Sequence, residues 1–131
     1  MVTNTPYFGA LDGEQFIVLT TYRRDGTPMP TCVWFAEAGD RLYITTMGQA
    51  GKTKRVRANP QVTIAPSDQA GNVHGPVFAG RARVLDETDF AHANALLRAK
   101  YQPMYDGIVG RTDASNPAGS RVFLVVERPE G

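Results

Sequence analysis

FIVLTTYR at residues 16–23 and MPTCVWFAE at residues 29–37 are two runs separated by the pair Asp25-Gly26. The first run is rich in β-branched and aromatic residues, which favour extended strands. Asp-Gly is typical of the tight turn between two antiparallel strands, because both residues tolerate the backbone angles that such a turn needs. The stretch therefore predicts a β-hairpin.

A third strand is predicted at RLYITTM, residues 41–47. It follows a turn at EAGD, residues 37–40, and its Leu42, Ile44 and Thr46 alternate onto one face. Strands joined by links this short are usually antiparallel neighbours in a sheet. The first three strands are therefore expected in meander order.

The rest of the chain predicts three more strands and two helices. The strands are expected at residues 61–68, 75–85 and 120–126, and the helices at residues 52–58 and 87–101. Asn59-Pro60 ends the short helix, and Thr88 is the expected cap of the longer one. Gly80, in the middle of its strand, indicates a bulge or a close approach to the backbone. The predicted fold class is mainly β: a six-stranded, curled antiparallel sheet with one short and one longer helix.

Length and composition limit the possible functions. The chain has 131 residues, which suits a single domain over residues 1–131. Its 14 Lys and Arg against 13 Asp and Glu give no overall positive field of the kind that nucleic-acid-binding proteins carry. Cys32 is the only cysteine, and His74 and His92 have no second ligand at metal-binding spacing, so both histidines are expected at the surface. Since there is no signal peptide and no long apolar run, we expect a cytoplasmic protein that does not bind a membrane. The charge balance and the histidine and cysteine spacing predict that it binds neither nucleic acid nor a metal.

A dense group of cations begins the short helix: Lys52, Lys54, Arg55 and Arg57. Helix N-termini favour phosphate, because they carry free N–H groups and a partial positive charge. At about 100° per residue, Lys52 lies about 40° and Arg55 about 100° from Val56, the expected inward anchor. Lys52 is thus the first candidate phosphate ligand and Arg55 the second. Lys54 and Arg57 are expected on a solvated face.

Short motifs follow one another in a recognisable order along the chain. They are Thr20-Thr21, Asp25-Gly26-Thr27-Pro28, Val33-Trp34-Phe35, Tyr43-Ile44-Thr45-Thr46, Gly51-Lys52-Thr53-Lys54-Arg55 and Asn59-Pro60. In this order the chain resembles the pyridoxamine-phosphate-oxidase-like flavin and deazaflavin oxidoreductases, which are split β-barrels. The run from Val62 to Asp68, followed by Gly71, Gly75-Pro76 and Gly80-Arg81-Ala82, is most similar to the branch that uses coenzyme F(420), a deazaflavin.

The resemblance implies a homodimer whose cofactor lies in a groove between two barrels. The loop and helix after the third strand would hold the cofactor phosphate, the end of that strand would contact it, and the second strand would line the ring system. The cofactor-binding residues implied in this way are Lys52, Arg55, Gly51, Thr45, Thr46, Thr31, Val33 and Trp34.

The second strand bears on the choice of cofactor. Similar oxidases that use FMN carry an arginine near position 30 or 31 and a lysine near position 35, where this chain has Pro30, Thr31 and Phe35. The resemblance therefore favours hydride transfer from reduced coenzyme F(420) to a small conjugated organic substrate. The alternatives are an FMN-dependent oxidoreductase of the same fold and a non-catalytic flavin, deazaflavin or tetrapyrrole carrier. No catalytic residue is assigned, since the cofactor supplies the difficult chemistry.

Some aromatic side chains have two interpretations. Trp34 is either a core residue or a neighbour of the cofactor ring. Tyr101 either completes the buried face of the longer helix or, like Tyr105 and Arg111, reaches the cofactor groove or the substrate. Tyr105 and Arg111 lie in residues 102–119, a stretch rich in Gly, Pro, Asn and Asp that is expected to form a loop or lid.

Overall fold

The computed structural model describes residues 8–11, 13–48, 50–102, 104–107 and 121–129. Within these residues the strands are β1 (Phe16–Tyr22), β2 (Pro28–Val33), β3 (Phe35–Ala38), β4 (Arg41–Met47), β5 (Gln61–Ser67), β6 (Phe78–Val84) and β7 (Arg121–Glu127). The helices are α1 (Gly51–Ala58) and α2 (Phe90–Tyr101), with single 3₁₀ turns at Gly9–Leu11 and Glu87–Asp89. All the strands join one antiparallel sheet, which confirms the mainly β fold class.

The run at residues 29–37 forms two strands, so the described sheet has seven strands where six were expected. Val33, the last residue of β2, pairs with β1, whereas Phe35, the first residue of β3, pairs with β4. The backbone changes partners at Trp34. In the sheet order β2-β1-β5-β6-β7-β4-β3, β2 and β3 are the two edges. Because one residue joins both edges, the sheet must curl into a barrel until they meet, and we call this junction the seam.

Tyr101, the last residue of α2, holds the seam together. Its hydroxyl accepts a hydrogen bond from the Phe35 backbone N–H at 3.0 Å and lies 2.7 Å from the carbonyl oxygens of Gln15 and Phe35, to which it can donate. Its ring stacks on Trp34, with centroids 4.5 Å apart and planes 7° from parallel. Backbone groups that lose a strand partner need another one when buried, and the hydroxyl supplies it at this break. Burial raises the pKa of Tyr101, so the hydroxyl stays neutral.

Apolar side chains fill the concave side of the curled sheet and cover part of its outer face. Every strand contributes to one core, which therefore fills the concave side: Phe8, Leu11, Ile17, Leu19, Val33, Phe35, Leu42, Ile44, Val56, Val62, Ile64, Ala82, Leu124 and Val126. Only β3, β4 and β7 contribute strand residues to the second core, which packs against α2: Ala36, Tyr43, Leu85, Ala93, Leu97, Tyr101, Tyr105, Phe123 and Val125. Neighbouring residues along a strand enter different cores, as strand alternation requires.

The longer helix ends where it was predicted but begins at Phe90, since residues 87–89 form a 3₁₀ turn, and its cap also differs from the prediction. Ala93, Leu97 and Tyr101 are buried on one face, as expected. The turn before the helix is capped by Asp86, whose carboxylate accepts the Thr88 backbone N–H at 3.1 Å, so the expectation that Thr88 itself is the cap was wrong. A carboxylate satisfies a free N–H at a helix start as well as a hydroxyl does. This hydrogen bond, together with one from the Thr88 hydroxyl at 3.1 Å, lowers the pKa of Asp86.

The stretch at residues 102–119 is only partly described. Residues 104–107 form a helical turn, in which the Tyr105 hydroxyl donates to the Asn94 side-chain oxygen at 2.8 Å. Tyr105 is buried in the core under α2, whereas Arg111 and the remainder of the predicted lid lie outside the described residues. No helix among the described residues is long and apolar enough to cross a bilayer.

Gly80 marks a close approach between strands. It pairs with Val62 of β5 in an unbroken register, so the strand carries no bulge at this point. A Cβ atom here would lie 2.8 Å from the Val126 Cγ1 and 3.3 Å from the Glu127 carbonyl oxygen. Of the two expectations for Gly80, the close approach is confirmed.

We expect Gly80→Ala to lower the free energy of unfolding by about 1–3 kcal/mol, because the added methyl group overfills the contact with Val126. Chemical denaturation of the purified variant measures this loss. Gly107→Ala is the control, since a Cβ there meets no atom within 4 Å and should not destabilise the protein. Equal stability of Gly80→Ala and the wild type would contradict the packing described for β6 and β7.

Candidate functional site

The start of α1 has the features of an anion-binding helix end. Ala50 precedes the helix and provides no side-chain cap, and the first turn contains no acidic residue. Among the described residues, the backbone N–H groups of residues 51–53 have no acceptor. The Thr53 hydroxyl donates to the Met47 carbonyl oxygen at 2.8 Å, which fastens the helix to the end of β4. This helix start therefore offers uncapped N–H donors in a fixed position.

Lys52 is half-buried at this helix start. Within the described part of the chain, its ammonium group makes no hydrogen bond and no ion pair. Burial lowers the pKa of Lys52 below its ordinary value of 10.5, and the positive charge of Arg55 lowers it further. A nearby anion would stabilise the protonated form of Lys52 and so offset both effects.

Arg55 lies beside Lys52 and is held by β1. Its Nε donates to the Thr21 hydroxyl at 2.6 Å, and Thr21 is fully buried. A Cβ atom at Gly51 would lie 2.8 Å from the Arg55 Nη1, so the guanidinium group covers the first residue of the helix. Among the described residues no oxygen accepts from the Arg55 Nη1 or Nη2. Two donor groups of Arg55 are thus directed to the helix start without a protein partner.

The other two cations of the helix face solvent. Lys54 is exposed, and Arg57 is exposed with only a long contact of 3.5 Å from its Nη1 to the Gly48 carbonyl oxygen. The structure therefore separates the four cations as the helical angles predict. Lys52 and Arg55 form what we call the cation pair.

The cation pair and the free N–H groups suit the phosphate of a flavin or deazaflavin cofactor. Neither Lys52 nor Arg55 is paired with a carboxylate in the described residues, so the site carries uncompensated positive charge. Arginine, lysine and helix N–H groups are the donors that bind phosphate oxygens in proteins. Gly51 keeps the space beside the Arg55 guanidinium group free of a side chain.

Thr45 and Thr46 point to opposite faces of β4. Thr46 is buried, whereas the Thr45 hydroxyl accepts a hydrogen bond from the Arg121 Nη1 at 2.6 Å. Thr45 thus lies on the side of β4 that also carries Tyr43 and packs under α2. Only one of the two hydroxyls can face a given ligand, and the residue-level role of each stays a prediction.

The segment implied as the ring-binding surface lies at the seam. Val33 is buried in the concave core, Thr31 is half-buried, and the partly exposed Trp34 stacks on Tyr101 and lies 6.1 Å from the Tyr105 ring. Beside Trp34 is a cavity of about 290 Å³, bounded by Gln15, Phe16, Trp34, Gln69, Lys100, Tyr101, Gln102 and Met104. Among the described residues no hydrogen bond, ion pair or ring contact joins this region to the cation pair.

Two parts of the arrangement were not predicted from the sequence. No role in the site was predicted for Thr21, although a threonine in line with Ile17 and Leu19 on the buried face of β1 is a detectable signal. A buried hydroxyl needs a partner, and this one holds Arg55. The stacking of Trp34 on Tyr101 was also not predicted, because the sequence does not show that these two residues are neighbours. Tyr101 therefore does complete the buried face of α2.

The histidines lie outside the cation pair, on the surface as expected. The His74 Nε2 is 2.7 Å from a Glu14 carboxylate oxygen, and the His92 ring contacts the Tyr43 ring edge-on at 5.6 Å. Both side chains are exposed. Within the described ranges, no group of three His, Cys, Asp or Glu residues is placed to hold a metal ion.

Solved structures with the same fold include cofactor-binding proteins. An F(420) reductase is 25% identical, with a TM-score of 0.59, over 95% of this chain and 94% of that one. A FAD-binding protein from Mesorhizobium loti is 18% identical, with a TM-score of 0.62, over 92% of this chain and 83% of that one. HutZ, the heme storage protein from Vibrio cholerae, is 15% identical, with a TM-score of 0.67, over 91% of this chain and 84% of that one. No curated protein matches the chain.

One family model covers almost the whole sequence. It is described as pyridoxamine 5'-phosphate oxidase and matches residues 7–129. The matched range includes all the described strands, helices α1 and α2, the cation pair and the seam. The chain therefore belongs to the pyridoxamine 5'-phosphate oxidase family.

Proposed function

We propose that this chain is an oxidoreductase that holds the phosphate of a flavin-type cofactor at the start of α1. The observation that carries the proposal is the cation pair: Lys52 and Arg55 are partly buried, close together, unpaired with any carboxylate of the described residues and next to uncapped helix N–H groups. A buried positive charge without a counter-charge is costly in a folded protein. A bound phosphate would remove that cost, which supports a phosphate site over a solvated surface.

The cofactor that we propose is coenzyme F(420), which when bound and reduced would supply the hydride for a small conjugated organic substrate. The chain's own residues would bind the phosphate, orient the ring and exclude water. Two observations favour the deazaflavin over FMN. The F(420) reductase shares 25% of its residues with this chain, and the fully buried Phe35 stands where the FMN-binding pattern has a lysine.

Equilibrium titration with coenzyme F(420) and FMN tests the cofactor assignment. We expect F(420) to bind more tightly than FMN, as measured by the change in cofactor absorbance or fluorescence on binding. Tight FMN binding without F(420) binding would replace the assignment with an FMN-dependent oxidoreductase of the same fold. The phosphate site would be retained in that case.

A non-catalytic carrier is the second candidate. The likeness to HutZ, whose name states heme storage, favours including heme in the titration, although at 15% identity that likeness concerns the fold. Stoichiometric heme binding without flavin or deazaflavin binding would replace the proposed flavin-type cofactor with a tetrapyrrole. The exposed His74 and His92 are the described residues that such a test would substitute first.

Lys52→Ala should weaken binding of the phosphorylated cofactor by at least about tenfold, because a charge-assisted contact to phosphate is lost. Lys54→Ala is the matched control: it removes the same charge from the same helix, but at an exposed position, and should change affinity by less than about twofold. Titration of both variants at one salt concentration makes the comparison. Equal losses in both would indicate a diffuse electrostatic effect and contradict the site.

The pH dependence of binding follows from the lowered pKa of Lys52. Its protonated form binds phosphate, so cofactor affinity should fall as pH rises through that pKa, beginning below the ordinary lysine value of 10.5. The phosphate itself does not titrate in this range, because a monoester, as in FMN, loses its second proton at about pH 6 and a diester, as in coenzyme F(420), is already ionised at lower pH. Lys52→Arg keeps the charge at alkaline pH and should remove the decline. An identical decline in wild type and Lys52→Arg would exclude Lys52 as its source.

Dimerisation is part of the proposal, with a small-molecule substrate as the other partner. It is supported by the family and by two exposed apolar side chains on the β5–β6 connection, Val73 at 49% and Val77 at 65% exposure. Sedimentation at micromolar concentration is expected to show a dimer. A monomer under those conditions would contradict a cofactor groove shared between two chains.

A further inference from the structure

The inward-facing positions of β1 end with a polar side chain. Ile17 and Leu19 are fully buried on this face, and Thr21 continues the same alternation at 0% exposure. A buried hydroxyl costs free energy unless it is hydrogen-bonded, so a valine of nearly the same shape would suit a purely structural position better. The presence of a hydroxyl group at this buried position therefore needs a physical reason.

That reason is a single contact with α1. The Thr21 hydroxyl accepts from the Arg55 Nε at 2.6 Å and has no other hydrogen-bond partner among the described residues. β1 is held in the sheet by its neighbours β2 and β5, so the hydroxyl is a fixed point for the arginine. The side chain of Arg55, which is flexible on its own, is thereby fixed at the start of its guanidinium group.

The contact leaves the opposite edge of the guanidinium group free. With Nε bound to Thr21, the Nη1 and Nη2 groups can donate together to two oxygens of one phosphate. Gly51 allows this placement, because a Cβ atom at that residue would come within 2.8 Å of Nη1. Thr21 and Gly51 thus determine where the guanidinium lies, from two different sides.

We propose that Thr21 is a positioning residue that orients Arg55 toward the cofactor phosphate, and that Gly51 keeps the space for it. Together they set the preference of the protein for a phosphorylated over a phosphate-free cofactor. The inference rests on the proposed function, since it requires a phosphate at the cation pair. It concerns the phosphate alone, so recognition of the ring should be unaffected.

The test measures the ratio of affinities for FMN and riboflavin, and for coenzyme F(420) and its phosphate-free deazaflavin. Thr21→Val should lower the affinity for the phosphorylated member by about tenfold and leave the phosphate-free member within about twofold. Thr21→Ser keeps the hydroxyl and should restore the wild-type ratio. If the role of Thr21 is purely structural, Thr21→Val should weaken binding of the phosphorylated and the phosphate-free cofactor equally.

Gly51→Ala provides an independent variant at an exposed helix position. The added methyl group displaces the end of the Arg55 side chain without touching Thr21, and alanine favours the helix. We expect the same selective loss for the phosphorylated cofactor, without a loss of thermal stability. This variant keeps the inference testable if Thr21→Val folds poorly.

A double-mutant cycle separates positioning from other effects. In an Arg55→Met background, Thr21→Val should cause no further loss of the phosphate preference. A wild-type preference that persists in both Thr21→Val and Gly51→Ala, but not in Lys52→Ala, would overturn the positioning role and leave the proposed function intact. A wild-type chain that does not distinguish phosphorylated from phosphate-free cofactors would overturn both.

Discussion

The hydroxyl of Tyr101 lies at the one place where the two edges of the sheet meet. It accepts from the backbone N–H of Phe35 and lies within hydrogen-bond distance of two carbonyl oxygens, on the Phe35 side and the Gln15 side of the seam. Without such a partner, the break at Trp34 would leave backbone groups unsatisfied in a buried position. The curled sheet, its concave core and the packing of α2 all depend on this junction.

Closure at the seam also determines where the cation pair lies. β1 is the neighbour of one edge strand, and β4 is the neighbour of the other. Helix α1 is fastened to both, through Thr53 on the end of β4 and through Arg55 on Thr21 of β1. The helix therefore connects the two sides of the barrel close to their ends. Its uncapped N-terminus and its cations are held by the strands that closure brings together.

Local patterns in the sequence were sufficient for much of this structure. The alternation of β1 and β4, the turn at Asp25-Gly26 and the end of α1 before Pro60 depend on neighbouring residues, and each lies where it was expected. The helical angles from Val56 also separated Lys52 and Arg55 from their exposed neighbours. These features are predictable because their causes lie within a few residues of each other.

The features that were missed depend on distant contacts. The break at Trp34 requires a tyrosine 66 positions beyond Phe35, and nothing within residues 29–37 marks it. The role of Thr21 requires a partner 34 positions away on α1. The family resemblance predicted Lys52 and Arg55 as phosphate ligands, but the link from Thr21 through Arg55 to the start of the helix came only from the three-dimensional arrangement.

A crystal structure of the protein with its preferred flavin or deazaflavin cofactor tests the phosphate site most directly. We expect the cofactor phosphate at the start of α1, with its oxygens within hydrogen-bond distance of the Lys52 Nζ and the Arg55 Nη groups. A phosphate bound elsewhere, with Lys52 and Arg55 still without a partner, would contradict this site.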